Sequence, residues 1–283
     1  FRTAIADDVL EPLTLALGSC NGASLVWPSM TVTADEYYDM FIHLGDMAYN
    51  DGATSLAEFR ASWRKYLGAD GYKQAFARAG LYATWDDHEI DNNSNFDRET
   101  MDPQQLAKRQ NAFDAFFEAL PIRRHEMVPN RLWRSFRWGD AVEVFALDTR
   151  GERKPSTLLT LQEMLSPQQL LWLTQSLEAS PCAIKLIMNS VPITDFGFSA
   201  FNTDAWRVYQ RQRLEVLRFI EDVEVGMVHV NEPTVGGEAQ LPFGGTKSTG
   251  VGEREMAEEG LHFFTEIKTV FINYGGSGER SLT

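Results

Sequence analysis

The sequence predicts an α/β protein, and three observations carry that prediction. Short apolar runs recur along the chain, helical patterns lie between them, and each run ends in polar side chains. Runs of about 4 to 8 apolar residues bounded by turn signals read as buried strands. Strands alternating with helices build a helix-covered sheet, and the C-terminal ends of such strands are where a rigid scaffold presents working groups.

Taken in order, "LTLALGSC" (13–20), "DMFIHLGD" (39–46), "AGLYATWDDHE" (79–89), "AVEVFALDTR" (141–150) and "AIKLIMNSVP" (183–192) are the predicted strands with their exit loops. Helices are predicted over "SLAEFRASWRKYLG" (55–68), with Gly68 as its stop, and over "PQQLAKRQNAFDAFFEAL" (103–120), with Pro121 just beyond. A third, "SPQQLLWLTQSLEAS" (166–180), opens with Ser166 as N-cap and Pro167 at the first helical position. Beyond residue 223 the character changes: the glycine-rich "PTVGGEAQLPFGGTKSTGVGERE" precedes the amphipathic "EMAEEGLHFFTEIKTVFINY", which marks a different module.

With 283 residues, 43% apolar and 12% aromatic, the chain has ample material for a packed core. Its net charge of -14 disfavours a nucleic-acid partner, because no basic face could neutralise phosphates against that background. A bound cation suits the same field. No apolar run approaches the roughly 18 to 20 residues that span a bilayer, and no signal peptide is visible. The chain opens on "FRTA" at Phe1, which reads as a processed or trimmed edge. Two cysteines, Cys20 and Cys182, are too few for a disulfide scaffold.

The strand ends present Cys20, Asp46 with Tyr49, the acids Asp86 and Asp87 followed by His88, then Arg150 and Asn189. Carboxylate, thiolate, phenolate, imidazole and amide oxygen together form a ligand set for hard to intermediate cations. Two cations sharing a carboxylate would lower the pKa of a water and clamp an in-line displacement at phosphorus, with a neighbouring histidine protonating the leaving oxygen and an arginine fork on the phosphoryl oxygens. Each residue alone also has a structural reading: Cys20 as a small hydrophobe, Asp46 as an N-cap, Tyr49 as core, Asp86 as a supporting acid, Arg150 as a neutraliser of Asp148, Asn189 as a turn former. Recurrence at successive strand ends favours the shared site. Cys182, at the head of an apolar strand, reads as core.

"GSCN" (18–21), "HLGDMAY" (43–49), "WDDHEIDNN" (85–93), "LDTR" (147–150) and "DAWRVYQRQR" (204–213) closely resemble the PhoD-like alkaline phosphatase family of metallophosphoesterases. The resemblance implies a four-layer αββα sandwich. It implies metal ligands at Cys20, Asp46 (bridging), Tyr49, Asp87 and Asn189, with His88 as the catalytic imidazole and Arg150 beside it. Iron (Fe3+) and calcium (Ca2+) are the implied metals, a small phosphoester the implied substrate, and the periplasm or cell exterior the implied location. It also implies a β-domain ahead of the catalytic region, of which residues 1–12 would be a remnant.

The family closes its site with a "GDVH"-like block. Here "GMVHVNEPTVGGEAQLPFGG" follows instead, with His229 in register as a candidate ligand and Met227, a poor ligand for hard cations, where an acid belongs. That text through "KSTGVGEREMAEEGLHFFTEIKTVFINY" resembles the C-terminal end of aldehyde dehydrogenases. The expectation is therefore a fusion joined between 214 and 226, with a metallophosphoesterase domain over 13–223, incomplete at its last strands, and an aldehyde dehydrogenase-like segment over 224–283. No NAD is expected: the nucleophile and nucleotide-binding strands of that family lie upstream, and Phe243 of "LPFGG" has no nucleotide fold to serve. The terminal strand "KTVFINY" is instead a candidate for self-association.

Overall fold

The computed structural model describes residues 3–93, 101–154, 162–193 and 205–222. All of these lie in the first of the chain's two units, Phe1–Val223. The expected shortfall at the last strands, the Met227–His229 block, Phe243 and the candidate pairing strand all lie outside the described residues.

Six strands form two sheets. The first holds β1 (Leu15–Gly18), β2 (Met40–His43) and β3 (Gly80–Ala83), parallel in the order β1-β2-β3. The second holds β4 (Arg134–Trp138), β5 (Val142–Ala146) and β6 (Ile184–Met188), with β4 antiparallel and β6 parallel to β5. Five of the six coincide with the apolar runs. The exception is β4, whose "RSFRW" carries two arginines and has no apolar run to mark it. Two short helices, α1 (Pro28–Thr33) and α3 (Asp70–Phe76), also have too few turns to show a helical period.

Period-2 alternation sets the layers. On β2, Met40 and Ile42 face the second sheet and pack with Trp138, Val142, Val144, Ala146 and Met188. Phe41 points the other way, into a core with Trp27, Met30, Phe59, Trp63, Tyr72, Phe113 and Phe116. That core belongs to α1, α2 (Leu56–Leu67), α3 and α4 (Pro103–Ala119). On the far side of the second sheet, Phe145 meets Trp172 of α5 (Pro167–Ala179). Helix, sheet, sheet, helix is the expected αββα sandwich.

The helix ends follow their sequence signals. Ser55 and Glu58 form a capping box on α2, Asp102 and Gln105 form another on α4, and Ser166 caps α5 ahead of Pro167. Cys182 is buried, as expected of a core residue. A 3-10 turn over Trp206–Tyr209 leads into α6 (Gln210–Asp222). No helix among the described residues is long and apolar enough to cross a membrane.

Candidate metal centre

The site sits where β2 and β3 end, and its geometry starts with a glycine. Gly45 has φ +114°, and a Cβ there would fall 2.5 Å from the Asp86 nitrogen and 2.6 Å from the Asp86 Cβ. Only glycine lets the two loops approach this closely. Asp46, next in the chain, is itself left-handed at φ +58°, a conformation that costs an L-residue about 1–2 kcal/mol. Glu89 holds it there. Its buried carboxylate accepts the N–H groups of Asp46 (3.0 Å), Met47 (2.6 Å) and Asp86 (2.8 Å), locking the exit of β2 against the exit of β3. Burial, then the charge of Asp46, pushes the Glu89 carboxyl up to about 8 in spite of those three donors.

Asp46, Asp87 and His88 converge here, each offering a ligand atom within 4.8 Å of the others. Among the described residues, Asp46 Oδ1 is buried with no hydrogen-bond partner. Burial first, then Asp86 and Asp87, pushes the Asp46 carboxyl up to about 6. Asp87 Oδ2 accepts the Asn93 N–H at 2.6 Å. The His88 ring rests on Tyr49, centroids 4.0 Å apart, and its Nδ1 lies 2.8 Å from Asp51 Oδ2.

Cys20, after β1, and Tyr49, after β2, neighbour Asp46, but Cys20 is not among the three residues whose ligand atoms converge within 4.8 Å. Cys20 is left-handed (φ +51°), and its N–H donates to the Gly45 carbonyl at 3.2 Å. Its residue surface is exposed, yet partial desolvation of the thiol and then the Asp46 carboxylate push its pKa up to about 12. Burial and then Asp46 likewise raise Tyr49 above the ordinary phenol range. Carboxylate, thiol and phenol are thus all driven toward their neutral forms by desolvation and mutual repulsion. A cation reverses that balance, because it favours each ionised form at once. The orphaned Asp46 oxygen and this donor set fit a bound metal.

The second sheet contributes differently. Arg150 is buried, and its Nε donates to Asp86 Oδ1 at 2.6 Å while its Nη2 lies 3.9 Å from Asp87 Oδ1. The fork that the sequence aimed at a phosphoryl group is directed at the acid pair. Asp148 gathers the Trp85 indole (2.7 Å) and the N–H groups of Arg150 (3.0 Å) and Gly151 (2.6 Å) on one oxygen, tying β5 to the exit of β3. Asn189 gives its amide N–H to the Val191 carbonyl (2.7 Å) and its oxygen accepts the Trp206 indole N–H (3.1 Å). That is the geometry of a turn former. His229 lies outside the described residues.

Two supporting residues escaped the sequence reading, Asp51 and Glu89, and Asp148 entered it only as a charge partner of Arg150. Glu89 was visible inside "WDDHEIDNN" and Asp51 two places after Tyr49, but an acid's burial and its backbone partners leave no periodic signal. His43 was also passed over. It is fully buried, bonded to Asn21 Oδ1 at 2.7 Å, with burial lowering its pKa to about 3.

The profile of PhoD-like phosphatases matches residues 15–230. The chain belongs to this family. Among its PhoD-like relatives, alkaline phosphatase D of Bacillus subtilis (strain 168) is 26% identical over 266 residues, covering 77% of this chain and 45% of the relative. A solved structure described as the structure of PhoD shares the fold, with a TM-score of 0.69 at 24% identity, covering 79% of this chain and 53% of that one. The chain therefore spans about half the length of the PhoD proteins it matches. A short C-terminal stretch is similar to other proteins. The aldehyde dehydrogenase family profile matches residues 204–270, overlapping the PhoD-like match at 204–230. 2,5-dioxopentanoate dehydrogenase of Saccharolobus solfataricus is 48% identical over 54 residues, covering 19% of this chain and 11% of the relative.

Proposed function

We propose that this chain carries a metal-dependent phosphoesterase site acting on small phosphomonoesters or phosphodiesters, as a PhoD-like phosphatase. The observation that carries the reading is the convergence of Asp46, Asp87 and His88 around a buried, partnerless Asp46 oxygen. Asp46, Asp87, Cys20 and Tyr49 would hold the metals, with Asp46 shared between two. Ferric iron and calcium are the pair that the family resemblance favours. When bound, they would supply Lewis acidity toward a phosphoryl group and a lowered pKa for the attacking water.

The chain's own residues do the rest. Glu89 and Gly45 fix the Asp46 carboxylate so that it meets a cation without rearrangement. Arg150, bonded to Asp86 and 3.9 Å from Asp87, sets a positive charge against the repulsion between the two acids and so helps to place Asp87. His88 moves a proton at Nε2, since its Nδ1 is held by Asp51. Asn189 closes its turn, and His229, outside the described residues, stands as a further candidate ligand.

Metal analysis of the purified chain together with an aryl phosphoester assay tests the reading. About two ions per chain and hydrolysis abolished by Asp46→Asn are expected. A chain that binds no metal, or an Asp46→Asn variant as active as wild type, overturns the site. An exported location, in the periplasm or outside the cell, follows from the same family reading.

The aldehyde dehydrogenase-like match favours a second reading, in which residues 224–283 form a fused segment that impairs the site and associates with another copy. Sedimentation with and without those residues separates the two readings, because identical mass behaviour removes the association.

A further inference from the structure

His43, the last residue of β2, is fully buried and takes no part in the chemistry proposed above. Both of its ring nitrogens go to loops rather than to the core. Nδ1 accepts the Gly45 N–H at 3.3 Å, which leaves Nε2 to donate to Asn21 Oδ1 at 2.7 Å. The Tyr72 hydroxyl joins them, 2.9 Å from Asn21 Oδ1, 3.3 Å from His43 Nε2 and 3.1 Å from the Met47 carbonyl. The Cys20 N–H closes the circuit on the Gly45 carbonyl at 3.2 Å.

The loop residues that these side-chain bonds reach adjoin proposed metal ligands. Asn21 follows Cys20, and Gly45 and Met47 flank Asp46. Packing alone would be met at position 43 by an apolar ring, as Phe41 meets it two places earlier on the same strand. A buried polar side chain costs stability unless it is bonded, and a fully bonded one fixes a single arrangement. Cys20 itself is exposed and left-handed, so its place depends on the loop around it. We propose that His43 is a positioning residue for the metal centre: with Asn21 and Tyr72 it clamps the exit of β1 against the exit of β2, so that the Cys20 thiolate and the Asp46 carboxylate meet one cation. The inference rests on the metal centre of the phosphoesterase reading.

The test is cobalt(II) binding to the metal-free full chain, read as affinity and as sulfur-to-cobalt charge-transfer absorption. Wild type is expected to show the band and Cys20→Ser to lack it. Asn21 is half-buried, and its truncation leaves His43 Nε2 beside the Tyr72 hydroxyl, so Asn21→Ala keeps the fold. The expected result for Asn21→Ala is a fall in cobalt affinity of about 10- to 100-fold, with most of the band lost. The near-ultraviolet circular dichroism of its metal-free form stays unchanged. In a Cys20→Ser background Asn21→Ala costs no further affinity. His43→Gln, whose amide N–H replaces the Nε2 donor, keeps more of the band than His43→Leu.

A folded Asn21→Ala chain with wild-type affinity and a full band overturns the proposal, as does an equal further loss in the Cys20→Ser background. Cobalt bound by wild type without a band that depends on Cys20 overturns it too, since the clamp then delivers no thiolate. If His43→Leu does not fold, the cycle of Asn21→Ala with Cys20→Ser decides alone. A clamp that responds as expected in a chain that hydrolyses no 4-nitrophenyl phosphate overturns the phosphoesterase reading alone. A wild-type chain that binds no cobalt overturns the metal centre and the clamp together.

Discussion

The two sheets end in different kinds of edge. The first-sheet edge is strained and underpaired: Cys20 and Asp46 are left-handed, Asp46 Oδ1 has no partner, and the thiol, phenol and carboxyl groups are all pushed toward neutrality. At the second-sheet edge, Arg150 Nε, the Asn189 amide and Asp148 Oδ1 bond to neighbouring protein groups, none of these residues is left-handed, and Asp148 Oδ2 is the one buried oxygen there without a partner among the described residues. Strain and unsatisfied polarity persist only where the surroundings over-determine them, and they concentrate where a ligand will relieve them. The first edge therefore carries the backbone strain, and the proposed site asks it to act while the second edge braces it.

Asp46→Asn breaks that contrast most sharply. It keeps the side chain's shape and removes its charge, so the fold should survive with full helical signal while hydrolysis falls by more than about 100-fold, since even residues supporting a metal ligand are worth about 10- to 100-fold. Circular dichroism alongside a turnover assay separates the two. Collapse of the fold would mean that the strained edge is structural after all.

Gly45→Ala acts on the same edge through the backbone. The added Cβ has 2.5 Å to the Asp86 nitrogen and needs φ +114°. A destabilisation of about 2 kcal/mol or more is expected from strain and overpacking together, read from urea denaturation. A variant as stable as wild type would show that the approach of the two loops does not depend on a glycine at position 45.

Glu89 makes the contrast depend on pH. Its folded-state pKa, about 8, lies above the ordinary carboxylate range of about 4.3. Between those values the folded chain holds a proton that the unfolded chain has released, so stability falls as pH rises through that window. Asp46, raised to about 6, adds to the same slope over the lower part of the window. Denaturation of the metal-free chain at about pH 5 and about pH 8 should therefore give lower stability at the higher value. Glu89→Gln should flatten the difference, at a cost of about 1–3 kcal/mol for the N–H groups an amide nitrogen cannot accept. An unchanged slope in Glu89→Gln would place the titration elsewhere.

How much of this was legible in the sequence follows from the physics of each feature. Five strands were visible because buried runs are long and apolar; β4 was not, because its arginines bond to backbone carbonyls such as Ala83 and Leu132 and so leave an amphipathic strand without an apolar run. Asp46, Asp87 and His88 were visible because they sit directly at strand exits. The sequence could not show that Arg150 turns to Asp86 or that Glu89 collects three N–H groups, since both depend on how far apart two loops lie. A left-handed glycine sets that distance, and only the folded backbone reveals it.

Asn189 tests the contrast at its mildest, and it divides the sequence expectation from the geometry. Strand position and family resemblance place a metal ligand there, whereas its amide closes a turn on Val191 and receives the Trp206 indole. Asn189→Ala removes both bonds and should cost about 1–2 kcal/mol of stability. As a residue of the bracing edge it should leave the metal content per chain unchanged, which elemental analysis measures alongside the denaturation curve. Loss of a metal equivalent from Asn189→Ala would move this residue to the acting edge, and the second sheet would then be a partner in the chemistry. Trp206→Phe sharpens the reading, because it removes the indole donor without touching the amide. If Asn189 is a brace, this variant should reproduce part of the stability loss with the metal complement still intact.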